Sequence, residues 1–414
     1  MFSTNGALTR LVRLLALQGG VVALGFVFTI VVTRMMGIES YGQISYVIAI
    51  GNIMSAAMRY GTDETLIVSM THADSQRSEI EAVTVLRAGF YLVAAVTLSV
   101  LWLWGLLTGK EALAAAFFLL IGLQVVAQFD YLNEQHKYSY TMIGNKTVLL
   151  LIFAALASTT SLGALEIFMA GTVFANVGLL MLHYGYFRRN FASTSPKVAW
   201  EEIVARVIAL LYSNHLVMFA SLMSLGLYSA NQIYIKFALS YEALAIFAVQ
   251  WQVCNVFLVY MKQVNRIYKP ILAAQYRDVS NALRITQWKF GAMVTLPPTL
   301  FSMLIWLNYD AIFPRLFTQS LEGYGNVFLL LTVFIFLRGI HLTLTQICFV
   351  AAQNHVPFIA NSAGVLLIGI VVAVLQGYDQ IEDGVIAMNV AMLGMILMTL
   401  CFLKPISRLE RARD

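Results

Sequence analysis

"VVTRMMGIESYGQISYVIAIGNIMSAAMRYGTDETLI", Val31–Ile67, decides how the chain is read. It opens on the end of an apolar run that closes with Arg34. It turns through Gly37, Glu39, Tyr41 and Gly42, then enters a second apolar run, YVIAIGNIM. Before any loop signal it places Arg59, Asp63 and Glu64 within six residues. A surface helix of a soluble protein returns polar residues on one face at every turn. Here the runs on both sides of the turn are almost continuously apolar, which is the pattern of a membrane hairpin.

The rest of the chain agrees. Of 414 residues, 60% are hydrophobic and 11% are charged, whereas soluble domains carry about 25% charged residues. Such a sequence cannot cover a globular surface with polar side chains. Twelve spans are predicted, near 13–35, 43–69, 84–107, 112–132, 144–160, 164–187, 208–236, 243–262, 289–309, 325–349, 357–375 and 384–403. The fold class is an all-α polytopic membrane protein. Cys254, Cys348 and Cys401 lie in apolar runs and read as small hydrophobes. The six histidines are scattered, so no metal site is expected, and the apolar run after Arg13 lacks a signal-peptide cleavage pattern.

Most of the 26 Lys and Arg residues fall on one side of the predicted topology. They include Arg10 and Arg13, Arg77 and Arg87, Lys137 and Lys146, the group from Arg188 to Arg206, the group from Lys262 to Lys289, and the C-terminal cluster. The loops on the other side are short. The positive-inside rule then puts both termini in the cytoplasm. The basic balance belongs to these loops and does not imply nucleic acid binding.

A weak internal repeat is expected. VTRMMGIESYGQISYVIAIGNI from Val32 aligns with YIKFALSYEALAIFAVQWQVCNV from Tyr234, Arg34 falling on Lys236 at an offset of 202 residues. Two six-helix lobes follow, 1–187 and 206–414, joined by a polar linker at 188–205. Parallel repeats of this kind place a substrate path between the halves.

Ionisable groups at membrane depth are costly and mark function by default. Arg59 falls near the middle of the second predicted span. Asp63 lies four residues on, so the two can pair on one helix face. The pair reads either as a structural salt bridge or as an anion-binding arginine restrained by a carboxylate. On the second reading Asp63→Asn should be milder than Arg59→Ala. Arg338 lies near the middle of the tenth span with no acid within a turn. Arg34 and Lys236 end the first helix of each half and are candidates for the outer mouth. Asp63, Glu64 and Asp130 are candidates for ion coupling or gating. Asn231, Gln232, Gln250, Gln252 and Asn255 either join helices or contact sugar hydroxyls, and Trp251 either packs in a core or stacks on a sugar. No Ser-His-Asp set, phosphate-cradling glycine loop or HExxH is present, and the sequence after span two, THADSQRSEIE, lacks the G-x-x-x-D-R-x-G-R-R pattern of major-facilitator transporters.

The opening stretch, with its G-x-E-x-Y-G hairpin, resembles the start of polysaccharide flippases of the Wzx type, in the multidrug/oligosaccharidyl-lipid/polysaccharide exporter superfamily. QVNRIYKPILAAQ (263–275) resembles the family's stretch after span eight, with Lys269 intervening between Tyr268 and Pro270. TQICFVAAQNHVPFIANSAG (345–364) resembles its turn between spans ten and eleven. The resemblance implies a MATE-like arrangement that moves an undecaprenyl-diphosphate-linked oligosaccharide, an O-antigen or similar repeat unit, between membrane leaflets by alternating access. Arg59 and Arg338 would contact the diphosphate. It implies no enzyme activity and no cofactor, coupling to H+ or Na+, and partners among membrane lipids, a polysaccharide polymerase and a chain-length regulator. A drug or cation exporter of the same superfamily is the alternative, and a membrane polysaccharide polymerase the more distant one.

Overall fold

A computed structural model of the chain describes residues 4–63, 65, 66, 70, 76–132, 134–193, 197–277, 282–351, 353 and 355–403. Among these residues every regular element is helical. The chain divides into two compact units, Met1–Leu225 and Gly226–Asp414. The division falls inside one helix, beyond the polar stretch 188–205 that the sequence suggests as a linker.

The first unit contains α1 (Thr4–Met36), α2 (Ile38–Arg59), α3 (Gln76–Leu103), α4 (Gly109–Leu119), the short α5 (Ala127–Tyr131), α6 (Gln135–Thr159), α7 (Ala164–Phe187) and the first part of α8 (Trp200–Ala238). Here α1 packs on α2 and α6, α6 packs on α7, and α4 is surrounded by α2, α3 and α7. The second unit holds the end of α8, α9 (Tyr241–Arg277), α10 (Ala282–Leu307), α11 (Tyr309–Leu316), α12 (Gly325–Val350), α13 (His355–Val374) and α14 (Ile381–Phe402). Its centre is α12, which packs on α9, α10 and α14, and α14 packs on α13.

Eleven segments among the described residues are long and apolar enough to cross a membrane. The protein is therefore a multi-pass membrane protein. Of the twelve predicted spans, the one outside this set is α2. Glu39, Gln43, Asn52 and Arg59 dilute its apolar character. Its 22 residues still extend about 33 Å at 1.5 Å per residue, comparable to a hydrocarbon core of about 30 Å. Packing explains the polarity. Tyr41, Ile44, Tyr46, Val47, Ala49 and Met58 of α2 are buried against protein, so the helix does not need a lipid-compatible surface. Lipid-compatible surface lies elsewhere. Leu92, Val93, Val96 and Leu103 of α3, and Leu300, Phe301, Leu304 and Leu307 of α10, are exposed.

Helix starts follow local chemistry. Thr108 caps α4: its hydroxyl accepts from the Glu111 amide at 3.2 Å, and the Glu111 carboxylate accepts from the Thr108 amide at 2.7 Å. This reciprocal box satisfies two otherwise orphaned donors. Asp383 serves α14 similarly, its Oδ2 accepting from the amides of Asp379 and Gln380, each at 2.9 Å.

In the second unit, two of the amide residues singled out from the sequence, Asn231 and Gln250, tie their helices to other segments. Asn231 donates to the Gly384 carbonyl at 3.2 Å and accepts from the Tyr378 hydroxyl at 2.8 Å. Gln250 donates to the Tyr309 hydroxyl at 3.0 Å. Interhelical bonds of this kind hold membrane bundles together. Trp251 is a core residue, stacked on Phe247 with 10° between ring planes and packed on Tyr228 and Phe334.

Candidate functional site

The site grows out of two interruptions in the first unit. The first ends α2. Tyr60 follows Arg59 with φ 50°, and Gly61 follows with φ 69°, both left-handed. A non-glycine residue in that region costs roughly 1–2 kcal/mol and persists only where its surroundings fix it. Tyr60 is fixed: its ring stacks on Phe90 at 5.1 Å, and its hydroxyl donates to the Leu211 carbonyl at 3.2 Å. Gly61 lies so close to α8 that a Cβ would meet Val217 Cγ1 at 2.8 Å. The second interruption follows α4, which passes into a 3-10 turn at Leu120–Leu123 and then extends at Gln124, ψ 130°. Unwound backbone at membrane depth must be satisfied by protein or by a water-lined cavity.

Arg87 of α3 satisfies it. Its Nη1 donates to the carbonyls of Gly122 and Gln124, while Nη2 donates to Thr62 Oγ1 at 2.6 Å and to Asp63 Oδ1 at 2.7 Å. Its side chain is 1% exposed. Both interruptions are therefore tied to one guanidinium. Sequence reading places Arg87 at a loop mouth, because it starts the third span at residue 84. The helix in fact begins at Gln76, which carries Arg87 about 16 Å along it. The apolar residues upstream, Ile80, Val83 and Leu86, all buried, are the signal that extends the helix backwards.

Asp63 accepts from two arginines. Beyond Arg87, its Oδ2 takes Arg59 Nη1 at 3.4 Å. The expected Arg59–Asp63 pair exists. Arg59 closes α2, about 30 Å along that helix from the Gly37 turn, and the chain is helical again at Thr62 and Asp63. Its side chain is 43% exposed, and among the described residues no other protein acceptor takes its Nε or Nη2. The triad of two guanidiniums and one carboxylate thus presents an available cationic edge, while its carboxylate is occupied. Gln124, whose carbonyl accepts from Arg87, and Gln128 are buried, and among the described residues Gln124 Nε2 and Gln128 Oε1 have no partner. Asp130, in α5, is half-buried, and the ring of Tyr138 lies within electrostatic reach of Arg59, Asp63, Arg87 and Asp130.

Glu64 falls outside the described residues. Arg34 is exposed in the last turn of α1, at the opposite end of the α1–α2 hairpin from Arg59. In the second unit, Lys236 occupies the last turn of α8, its ammonium 4.2 Å from the Phe237 ring centroid and 5.1 Å from that of Tyr241. Such cation–aromatic contacts suit a helix end. Arg338 lies mid-helix in α12. Its Nη1 donates to His341 Nδ1 at 3.2 Å, so His341 is neutral with its proton on Nε2, 3.4 Å from Thr345 Oγ1. His341 is 2% exposed, which makes it a fixed support for a half-buried arginine.

The sequence matches no family model and no curated protein. Solved structures do match along the whole chain. An inward-facing multidrug resistance MATE family transporter of the MOP superfamily superposes with a TM-score of 0.65 at 14% identity, covering 96% of both chains. The lipid II flippase MurJ, in an inward closed conformation, gives 0.67 at 12% identity, covering 94% of this chain and 87% of that one. The MATE multidrug transporter DinF-BH, in complex with R6G, gives 0.67 at 13% identity over 95% and 94%. Two interrupted helices pinned by Arg87, an available Arg59 edge and a second arginine in α12 are thus set in the fold that MATE transporters and MurJ share.

Proposed function

We propose that this protein is a transporter that moves an anionic, lipid-linked oligosaccharide, carried on a polyprenyl diphosphate, between the leaflets of a bacterial inner membrane. The observation that carries this reading is the state of the Arg59–Asp63–Arg87 triad. A site for cationic drugs needs an available carboxylate, and Asp63 is held by two guanidiniums. What the triad offers a ligand is the Arg59 edge, a planar donor set suited to phosphate oxygens. The likeness to MurJ, described as a lipid II flippase, supports the same substrate class. Arg338, held by His341, is a further proposed contact for phosphate, and Arg34 and Lys236, each in the last turn of its helix, are proposed contacts at the outer mouth. Asp63, Glu64 and Asp130 are the groups through which H+ or Na+ would couple to the cycle. Both termini are cytoplasmic, on the strength of the basic loops. The O-antigen repeat unit is the specific cargo suggested by the resemblance, with a polymerase and a chain-length regulator as partners downstream.

The MATE neighbours favour a second reading, export of a cationic drug. Deletion in the native strain separates the two. Flipping predicts lipid-linked repeat units accumulating on the cytoplasmic leaflet and loss of surface glycan. A normal glycan coat with increased drug sensitivity overturns the proposal in favour of export.

A further inference from the structure

Inside the first unit, lined by none of the triad residues, lies a cavity of about 50 Å³. Its walls are mostly carbon, from α1, α2, α4 and α7. Its polar corner is made by Asn145 and Lys146 of α6 and Thr172 and Asn176 of α7. Sequence reading assigns Lys146 to a basic loop. Because α6 begins at Gln135, Lys146 instead lies about 16 Å along the helix, facing this cavity.

No hydrogen bond or ion pair joins Lys146 to another described residue, and no charged side chain besides its own lines the cavity. Several charged or polar groups on the surrounding helices are engaged elsewhere. Glu166 of α7 pairs with Lys110, Glu111 of α4 caps its own helix with Thr108, Arg13 of α1 donates to Tyr140, and His183 of α7 bonds Thr141. The two asparagines are committed as well: Asn145 Nδ2 donates to Asn176 Oδ1 at 3.1 Å, and Asn176 Nδ2 donates to the Phe117 carbonyl at 3.2 Å. Thr172 is 3% exposed, and its hydroxyl has no partner. The corner therefore presents an ammonium and a hydroxyl donor with no carboxylate to answer them. An uncompensated charge in such surroundings is costly.

We propose that this cavity is a small-anion site, in which chloride or an anion of similar size binds between Lys146 and Thr172. The volume sets the class. A water needs about 10–15 Å³ on this scale, so the space takes a halide with a few waters. Organic ligands occupy pockets of about 300–1,000 Å³, so neither a sugar nor a drug fits. The inference is independent of the substrate proposed above, since the site shares no residue with the triad.

The test is thermal melting of the detergent-purified full chain, titrated with sodium chloride against sodium gluconate at constant ionic strength. The expected result is a saturating rise in melting temperature with chloride for the natural sequence. Lys146→Met, which keeps the unbranched stem, should lose that rise and melt at or above the natural protein in gluconate. Thr172→Val should shift the midpoint to higher chloride. The same melting temperature in both salts for the natural sequence overturns the site, and so does an undiminished chloride response in Lys146→Met. If Lys146→Met does not fold, the natural titration and the Thr172→Val midpoint decide it.

Discussion

Arg87 Nη2 donates to Asp63 Oδ1 at 2.7 Å, and Arg87 is the more deeply buried of the two arginines that share this carboxylate. The relationship divides the labour within the triad. Arg87 holds the interrupted backbone together, and Arg59 faces outward. Removing one partner of a buried pair costs about 3–5 kcal/mol because the other charge is stranded. Arg87→Ala is expected to lower the melting temperature sharply or abolish accumulation in the membrane. Arg59→Ala should stay within about 1 kcal/mol of the natural protein, as for exposed pairs. Fluorescence-detected size exclusion after a temperature ramp measures both.

Asp63→Asn strands Arg87 as well. On the reading of Asp63 as a restraint on an anion-binding Arg59, it is milder to mutate than Arg59 itself. With two guanidiniums on it, the order for stability reverses: Asp63→Asn is expected to melt below Arg59→Ala. Equal melting temperatures would mean that the Gly122, Gln124 and Thr62 acceptors alone hold Arg87.

Gly61→Ala meets two penalties at once. Its φ of 69° disfavours any side chain, and the new Cβ would lie 2.8 Å from Val217 Cγ1 and 3.2 Å from the Met218 backbone nitrogen. Gly37, with φ 86° and nothing within 4 Å, meets only the first. Gly61→Ala is expected to destabilise more than Gly37→Ala, by at least about 1 kcal/mol, in a paired melting experiment.

Glu134 lies just before α6. The Lys137 ammonium at 2.6 Å, then the Tyr186 hydroxyl, hold its carboxyl below the ordinary carboxylate value. A depressed folded pKa contributes stability that is present above the unfolded value, about 4.3, and is lost as pH falls through the folded value. Because the group is partly exposed, the contribution is under about 1 kcal/mol. Glu134→Gln should melt slightly lower than the natural protein at pH 7, with the gap closing as the pH drops below about 4. A gap that widens toward acid would reverse the assignment.

Much of the fold is legible in the sequence because lipid imposes a simple rule, long apolar runs with polar turns. The Gly37 and Leu239–Ser240 turns, with Arg34 and Lys236 in the preceding helical turns, fall where the repeat places them. Interruptions are harder to read. Gly61 in MRYGTDE permits a local break, but the stop of α2 at Arg59 depends on Phe90, Leu211 and Val217, which are distant in sequence. Two cations inside helices illustrate the same limit. Arg87 and Lys146 each lie near the start of an apolar run, so a hydropathy reading assigns them to loops. Their helices begin a full three turns earlier, and this places one at the triad and the other at the cavity. Arg59 is found by its charge, but its role depends on Arg87, which hydropathy hides.

The central claim, that the Arg59 edge engages the diphosphate of a lipid-linked oligosaccharide, is tested most directly by translocation in proteoliposomes. The reporter is a fluorescent undecaprenyl-diphosphate oligosaccharide, and bleaching of the outer leaflet counts the molecules that have crossed. The account predicts transport by the natural protein, loss of at least about tenfold in Arg59→Ala, equivalent to roughly 1.4 kcal/mol, and partial recovery in Arg59→Lys. Transport by Arg59→Ala at the natural rate, from protein shown to be folded, would contradict it.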